Sequence, residues 1–326
     1  MILVPNFYKK FKCIADKCKD SCCIGWEIDL DAPTLEKLQG LSEDFLSCVE
    51  IDATPPYIRL DGDERCPFLD ARGLCRIISN HGEDFIPEIC KRHPRYFNDI
   101  LDFTECSIGL SCPTAAEIIL SIREKPTIEK MKDLSTYQAI SKENESKIPT
   151  NEAEKVKNIY KIRDRLFDFV FDTERDIAGI VAGLIEYQSE ISDYLFFGDA
   201  PREIHGGKME SLYGVIDMMG ESAERLELLS EEHRPRLSFL TREGVISRLS
   251  ANADISRSLL YYFLHRHMLS GAMELDLDDR LTLCVLLLFI CLCFIDGISV
   301  TDEAALFSKN IEYSTENIDI LLDIIA

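Results

Sequence analysis

From about residue 155 to the end of the chain, apolar positions recur every three or four residues. Ile159, Ile162, Leu166, Phe169 and Val170 form one such stripe, and Ile177, Ile180, Val181, Leu184 and Ile185 form another. Ile255, Leu259, Tyr262, Phe263 and Met268 form a third, and Ile311, Ile318, Leu321 and Ile325 close the chain. This period puts apolar side chains on one face of a helix and predicts amphipathic helices packed together. Residues 281–295, between Arg280 and Asp296, are apolar almost throughout. The run is shorter than the ~20 residues that cross a bilayer, so it predicts a buried core helix.

The first 125 or so residues read differently, as short elements joined by turns. Asp31 predicts the cap of a helix through Leu35, Leu38, Leu41 and Phe45. Residues 57–60 predict a short strand. Residues 67–78 predict a hairpin turning at Asp70-Ala71-Arg72-Gly73, and residues 96–107 a second one turning around Asn98-Asp99. Ser111 predicts a cap for a helix with Pro113 in its first turn and apolar positions Ala116, Ile119 and Leu120. Residues 124–154 are polar and charged, and 141–154 have no apolar face, which predicts a linker. The expectation is an α+β fold in three parts. A small cysteine-cluster metal-binding domain (1–123) of short strands and helices is followed by a polar linker (124–154) and an all-α helical domain (155–326). Gly179 and Gly183 lie in a helical stretch and predict a close-packing site.

Composition and charge narrow the class. The chain is 46% apolar and 29% charged, as expected of a soluble globular protein. A net charge of −22 argues against nucleic acid or an anionic membrane as partner; it would draw in a basic partner or a lysine-bearing surface, and the plainer reading is that it keeps the protein in solution. The opening MILVPNFYKKFK has its basic residues after a short apolar stretch, so no secretion signal is expected and a cytoplasmic location is.

Ten of the thirteen cysteines lie at or before Cys112; the others are Cys284, Cys291 and Cys293. Clustered thiols in a reducing compartment point to metal rather than disulfides. The pattern is Cys13-x4-Cys18-x3-Cys22-Cys23, then Cys66, Cys75, Cys90 and Cys112. Thiolates are soft ligands for zinc, copper(I) or iron–sulfur clusters. Four complete a tetrahedral zinc site or hold one cubane, so eight allow two sites, or one site with thiols left over. Neighbouring side chains at Cys22 and Cys23 are expected to point apart. Cys48 and Cys106 fall outside the pattern and read as core or spare thiols.

These motifs resemble the cysteine-cluster family of zinc- or iron-chelating domains, and within it the flagellin lysine-N-methylase branch. The resemblance is carried by Phe11-Lys12-Cys13 through Cys22-Cys23-Ile24-Gly25-Trp26, Cys66-Pro67-Phe68-Leu69-Asp70 and Gly73-Leu74-Cys75-Arg76-Ile77. It continues in Cys90-Lys91-Arg92-His93-Pro94-Arg95 and Ser111-Cys112-Pro113, covers about residues 5–120, and extends weakly into 261–268. One departure is His93, where the family usually has tyrosine. The resemblance implies methylation of flagellin lysine ε-amines, with S-adenosylmethionine as methyl donor and a cysteine-bound iron–sulfur cluster.

The residues alone do not reach that chemistry. No glycine-rich loop follows a first strand, and Cys18-x3-Cys22 is followed by Gly25 where the radical S-adenosylmethionine pattern needs cysteine. Tyr57, Tyr96, Tyr261 and Tyr262 are candidates to line a lysine channel, with core packing the plainer reading. Arg92, His93 and Arg95 follow a candidate ligand and read as support for it or as a solvated turn. His265 and His267 face different ways on a helix, Cys284 and Cys291 read as core, and Trp26 is expected to pack beside the metal site. Two other functions remain open: a non-catalytic zinc or iron–sulfur protein whose metal organises a binding surface, and a redox module.

Overall fold

A computed structural model describes residues 1–26, 28–41, 43–100, 103–131, 150–197, 202–274 and 277–325. The strands are β1 (Ile2–Pro5), β2 (Ile28–Asp29), β3 (Val49–Glu50), β4 (Tyr57–Ile58), β5 (Arg95–Ile100), β6 (Phe103–Ile108) and β7 (Ile128–Met131). Short helices α1 (Ala32–Gln39), α2 (Glu43–Leu46), α3 (Arg76–His81), α4 (Glu88–Arg92) and α5 (Pro113–Leu120) lie among them. Longer ones follow: α6 (Thr150–Val170), α7 (Ile177–Phe197), α8 (Met209–Ser222), α9 (Arg242–Ala251), α10 (Ala253–Glu274) and α11 (Leu277–Phe294). The chain ends in α12 (Val300–Phe307) and α13 (Thr315–Ile325). The architecture is α+β, with short strands confined to small sheets and a helical C-terminal part.

The chain forms two compact units. One is Lys12–Tyr96; the other joins Met1–Phe11 to Phe97–Ala326. The first is narrower than the expected 1–123 domain, and strand pairing supplies the reason. β1 lies parallel to β6 (Ile2 opposite Thr104) and antiparallel to β7 (Ile2 opposite Met131), in the order β5-β6-β1-β7. The first residues of the chain are thereby built into the sheet of the larger unit. β7 falls inside the expected linker and forms the edge of that sheet; residues 132–149 of the linker lie outside the described residues.

In the larger unit the apolar stripes do what their period predicts. Residues 281–295 are buried throughout, as expected of a core helix. Among the described residues no helix is long and apolar enough to cross a membrane. The second hairpin forms as β5 and β6, but Asn98 and Asp99 lie within strand β5 rather than at a turn. The Asn98 amide donates to the carbonyls of His265 (3.4 Å) and Arg266 (3.0 Å), a long-range tie that keeps it in the strand. Helix α5 starts at Pro113 as expected, but Cys112 holds the capping position without a side-chain bond, and the buried Ser111 hydroxyl has no hydrogen-bond partner.

Two local features fix the packing. Glu105 on β6 and Arg163 on α6 make a two-armed ion pair at 2.5 and 2.8 Å, each side chain only 1% exposed. The guanidinium lies over the rings of Tyr160 (5.0 Å) and Phe167 (5.3 Å). Burial alone would raise the Glu105 carboxyl; the charge of Arg163 holds it below the ordinary carboxylate range. The second feature is the expected glycine site, which packs against the irregular segment at His205–Gly207 rather than a helix. A Cβ on Gly183 would overlap the His205 carbonyl oxygen, and one on Gly207 the backbone of Ala182, while the Gly207 N–H bonds the Gly179 carbonyl at 3.0 Å.

Replacing Arg163 by leucine strands the buried Glu105 carboxylate and is expected to cost about 3–5 kcal/mol in urea unfolding. The double change Glu105→Leu with Arg163→Leu should recover most of that loss. Gly183→Ala and Gly207→Ala should each lower stability by about 1–3 kcal/mol, because backbone must move to admit the methyl.

Candidate metal centre

The Lys12–Tyr96 unit has little apolar mass. Its core is Ile28, Leu30, Leu38, Val49, Ile58, Cys66, Phe68, Ile77 and Ile86, with Cys23, Cys48, Cys75 and Cys90 half-buried against it. Its sheet is short, in the order β2-β4-β3. Cysteine therefore stands where a larger domain would place further aliphatic residues. None of the thirteen cysteines is in a disulfide.

Backbone bonds bring the thiols together. The Cys66 N–H bonds the Cys23 carbonyl at 2.8 Å, and the Gly25 N–H bonds the Glu64 carbonyl at 2.8 Å. These bonds lay the segment after the double cysteine against the segment before Cys66. Gly25 takes φ +76, a conformation that suits glycine. From Cys66 the chain runs into a tight loop. The Asp70 carboxylate accepts from the N–H groups of Arg72 (2.8 Å) and Leu74 (2.9 Å), and Gly73 takes φ +78. The expected 67–78 hairpin reduces to the single bridge Leu69–Cys75, because the chain turns helical at Arg76. That loop returns Cys75 toward Cys66.

Cys90 is placed by Asp31. The Asp31 side chain caps α1 as the sequence predicts, with Oδ1 accepting from the Thr34 N–H at 2.9 Å, though α1 ends at Gln39 before Gly40 and does not run on through Leu41 and Phe45 as expected. Its other oxygen, Oδ2, accepts from the Glu88 N–H at 2.8 Å, at the first turn of α4. Burial works to raise this carboxyl, and the amide bonds outweigh it, so its pKa falls below the ordinary value. Trp26 packs edge-on to His93 at 6.2 Å, in the same unit as the cysteines.

The thiols feel one another. Cys22 and Cys23 titrate as one pair, with Cys22 raised and Cys23 lowered by their mutual interaction. Cys66 is pushed up to about 12, first by burial and then by the fields of Cys23, Cys75 and Cys48. Cys90 is raised by burial and by Cys23, Cys66 and Cys75. Cys23 is thus common to the group Cys66, Cys75 and Cys90, while Cys22 also feels Cys90 and Cys13. Cys13 and Cys22 are exposed and Cys18 is half-buried. The Cys13 sulfur accepts from the Ala15 N–H at 3.4 Å, and the Cys18 thiol donates to the Asp20 carbonyl at 3.2 Å.

Seven of the eight expected ligands thus lie in this unit, and Cys112 lies in the other. Cys48, set aside on spacing, lies against the same core; only its place in the fold reveals it. Cys106 is buried on β6, and Cys284 and Cys291 are buried in α11, as core thiols. Among the described residues, no three histidine, cysteine, aspartate or glutamate side chains stand close enough to grip a metal ion as they are. The donor type suits a soft metal, but the sulfurs would have to move closer to one another to share one ion or cluster.

His265 and His267 face different surroundings, as expected. His265 lies by the Glu105–Arg163 pair, where burial lowers it to about 4, and His267 lies 3.0 Å from Glu312. Tyr261 and Tyr262 are buried in the helical core.

The chain is similar to the protein named Lysine-N-methylase of Salmonella typhimurium, 28% identical over 127 residues, which is 36% of this chain and 32% of that protein. A Lysine-N-methylase of Salmonella choleraesuis matches to the same extent. The Flagellar biosynthetic protein FliU of Salmonella muenchen is 25% identical over 146 residues, 42% of this chain and 86% of that protein. The chain thus spans about a third of the length of the curated lysine-N-methylases it matches. No protein-family model and no solved structure matches it. These relatives bear out the resemblance to the flagellin lysine-N-methylase family.

Asp31→Ala should destabilise the cysteine unit by about 2 kcal/mol, since it uncaps α1 and releases α4 together. Because the folded-state carboxyl titrates below its unfolded value, this stabilisation is full above the unfolded pKa and lost as pH falls through the folded one. Unfolding followed by Trp26 fluorescence between pH 6 and pH 2 should show that loss in the parent and its absence in the variant.

Proposed function

We propose that this protein is a lysine N-methyltransferase of the flagellin-methylase kind, with a cysteine-bound iron–sulfur or zinc centre in its Lys12–Tyr96 unit. The observation that carries this reading is the gathering of Cys23, Cys66, Cys75 and Cys90 on one small core, in a chain similar to proteins named Lysine-N-methylase. Those four, with Cys13, Cys18 and Cys22, are the residues that would hold the centre. When bound, it supplies cross-links between segments far apart in sequence and, as an iron–sulfur cluster, one-electron chemistry.

In the transfer, the lone pair of a neutral lysine amine attacks the sulfonium methyl of S-adenosylmethionine. An N–C bond forms, the S–C bond breaks, and the amine proton leaves to solvent or to a base. The net charge of −22 attracts a lysine-bearing protein substrate such as flagellin. The described sheets hold one parallel pair, β1 with β6, so donor binding in this reading does not use the glycine-rich loop of doubly wound folds.

Protein purified without air is expected to be brown, with about four irons and matching sulfide per chain. Cys66→Ser and Cys90→Ser should lower the metal content, while Cys293→Ala in the helical core should leave it unchanged. The loaded protein should bind S-adenosylmethionine and pass labelled methyl groups from it to flagellin lysines. A colourless protein with zinc keeps the metal unit and removes the cluster. A loaded protein that neither binds the donor nor labels lysine overturns the methyltransferase reading.

A further inference from the structure

Helix α10 carries a second buried polar cluster beside the Glu105–Arg163 pair. Its centre is Glu312, the last residue of a π-helical turn, Ser308–Glu312, between α12 and α13. Such wide turns often serve a local purpose. The Glu312 side chain is fully buried. One carboxylate oxygen lies 3.0 Å from His267 Nε2 and 3.2 Å from Arg266 Nε; the other accepts from the Ser308 hydroxyl (2.5 Å) and the Tyr262 hydroxyl (3.0 Å).

Tyr262 links this hub to the main chain. Its hydroxyl oxygen accepts from Arg266 Nη1 at 2.8 Å and from the backbone N–H of Leu110 at 3.2 Å. Leu110 lies between the end of β6 and the start of α5, two residues before Cys112. The Cys112 carbonyl accepts the Ala116 N–H at 2.8 Å and so begins the helix. The next residue, Pro113, has no N–H with which to tie the turn down. The Tyr262 hydroxyl thus gives the chain at Leu110 a side-chain anchor, and its direction is set by a buried carboxylate. A hub of this kind costs more desolvation than an apolar contact of the same volume, and what it adds is orientation.

We propose that Tyr262 is a positioning residue for Cys112: Glu312 aims the Tyr262 hydroxyl, and the hydroxyl fixes the turn that presents the thiol. The inference stands apart from the proposed metal centre, whose cysteines lie in the other unit, and concerns the Cys112 thiol alone. The positioning itself stands on hydrogen bonds within one unit.

The full chain tests it in two variants. Tyr262→Phe removes the hydroxyl and keeps the ring; Ser308→Ala removes a donor to Glu312 that does not touch Leu110. Two local readouts are hydrogen exchange at the Leu110 amide and the rate of Cys112 alkylation by N-ethylmaleimide, both resolved by mass spectrometry. Tyr262→Phe is expected to speed Leu110 exchange about tenfold and to change Cys112 alkylation severalfold. Ser308→Ala is expected to lower Tm and leave both readouts at the parent's values. Parent-like readouts in Tyr262→Phe overturn the proposal, and so does an equal change in both variants, which would make lost stability the cause. Should Tyr262→Phe fail to fold, Glu312→Gln carries the same two readouts with the same expected and contrary results. Metal content is read separately: a parent without metal overturns the metal reading and leaves the positioning of Cys112 as it stands.

Discussion

The carboxylate of Asp31 holds the cysteine unit together. One oxygen caps α1 and the other holds the first turn of α4, fifty-seven residues further along the chain. Helix α1 contributes Leu38 to the core, and α4 carries Cys90. Without that bridge the two short helices, of eight and five residues, have too few bonds of their own to persist. The remaining ties are of the same kind: a main-chain bond from Cys66 to Cys23, and a carboxylate-wrapped loop that brings Cys75 back. Cys23, Cys66, Cys75 and Cys90 come to one core because polar groups close short loops around it.

That economy gives the proposed metal centre its logic. In a unit with so few aliphatic residues, thiols that pack as apolar groups when protonated become ligands when they lose their protons. Burial and mutual repulsion raise Cys66, Cys75 and Cys90, so the metal-free unit keeps them neutral. A soft cation would reverse that balance, trading protons for coordination.

The helical unit solves a different problem. Its apolar mass is ample, with α11 buried along nearly its whole length. Into that mass it builds two ion pairs, Glu105 with Arg163 and Glu312 with Arg266, on elements far apart in sequence. Glu312 is satisfied by further donors from Tyr262, Ser308 and His267, which is the condition for a buried charge to be tolerated, whereas Glu105 takes both arms of Arg163. Such pairs select one packing among many that a uniformly apolar core would allow.

Much of this is legible in the residues. The three- and four-residue periods locate α6, α7, α10, α11 and α13, because a buried helix face must repeat at the pitch of the helix. The Asp31 cap is legible because capping is local, and the cysteine motif and its resemblance are legible because ligand type is a property of the residue. The shorter α8, α9 and α12 are not, since their packing rather than their pattern makes them helical. Which thiols share a core, and that Cys48 joins them, follows only from long-range main-chain bonds. The partners of Glu105 and Glu312 are equally hidden, because a buried charge takes its meaning from groups tens of residues away. Sequence alone determined the helical stripes, the Asp31 cap and the soft-donor chemistry. Tertiary structure decided that the first strand belongs with the helices, which thiols converge, and which charges pair, because each of these is a contact between distant segments that no local period encodes.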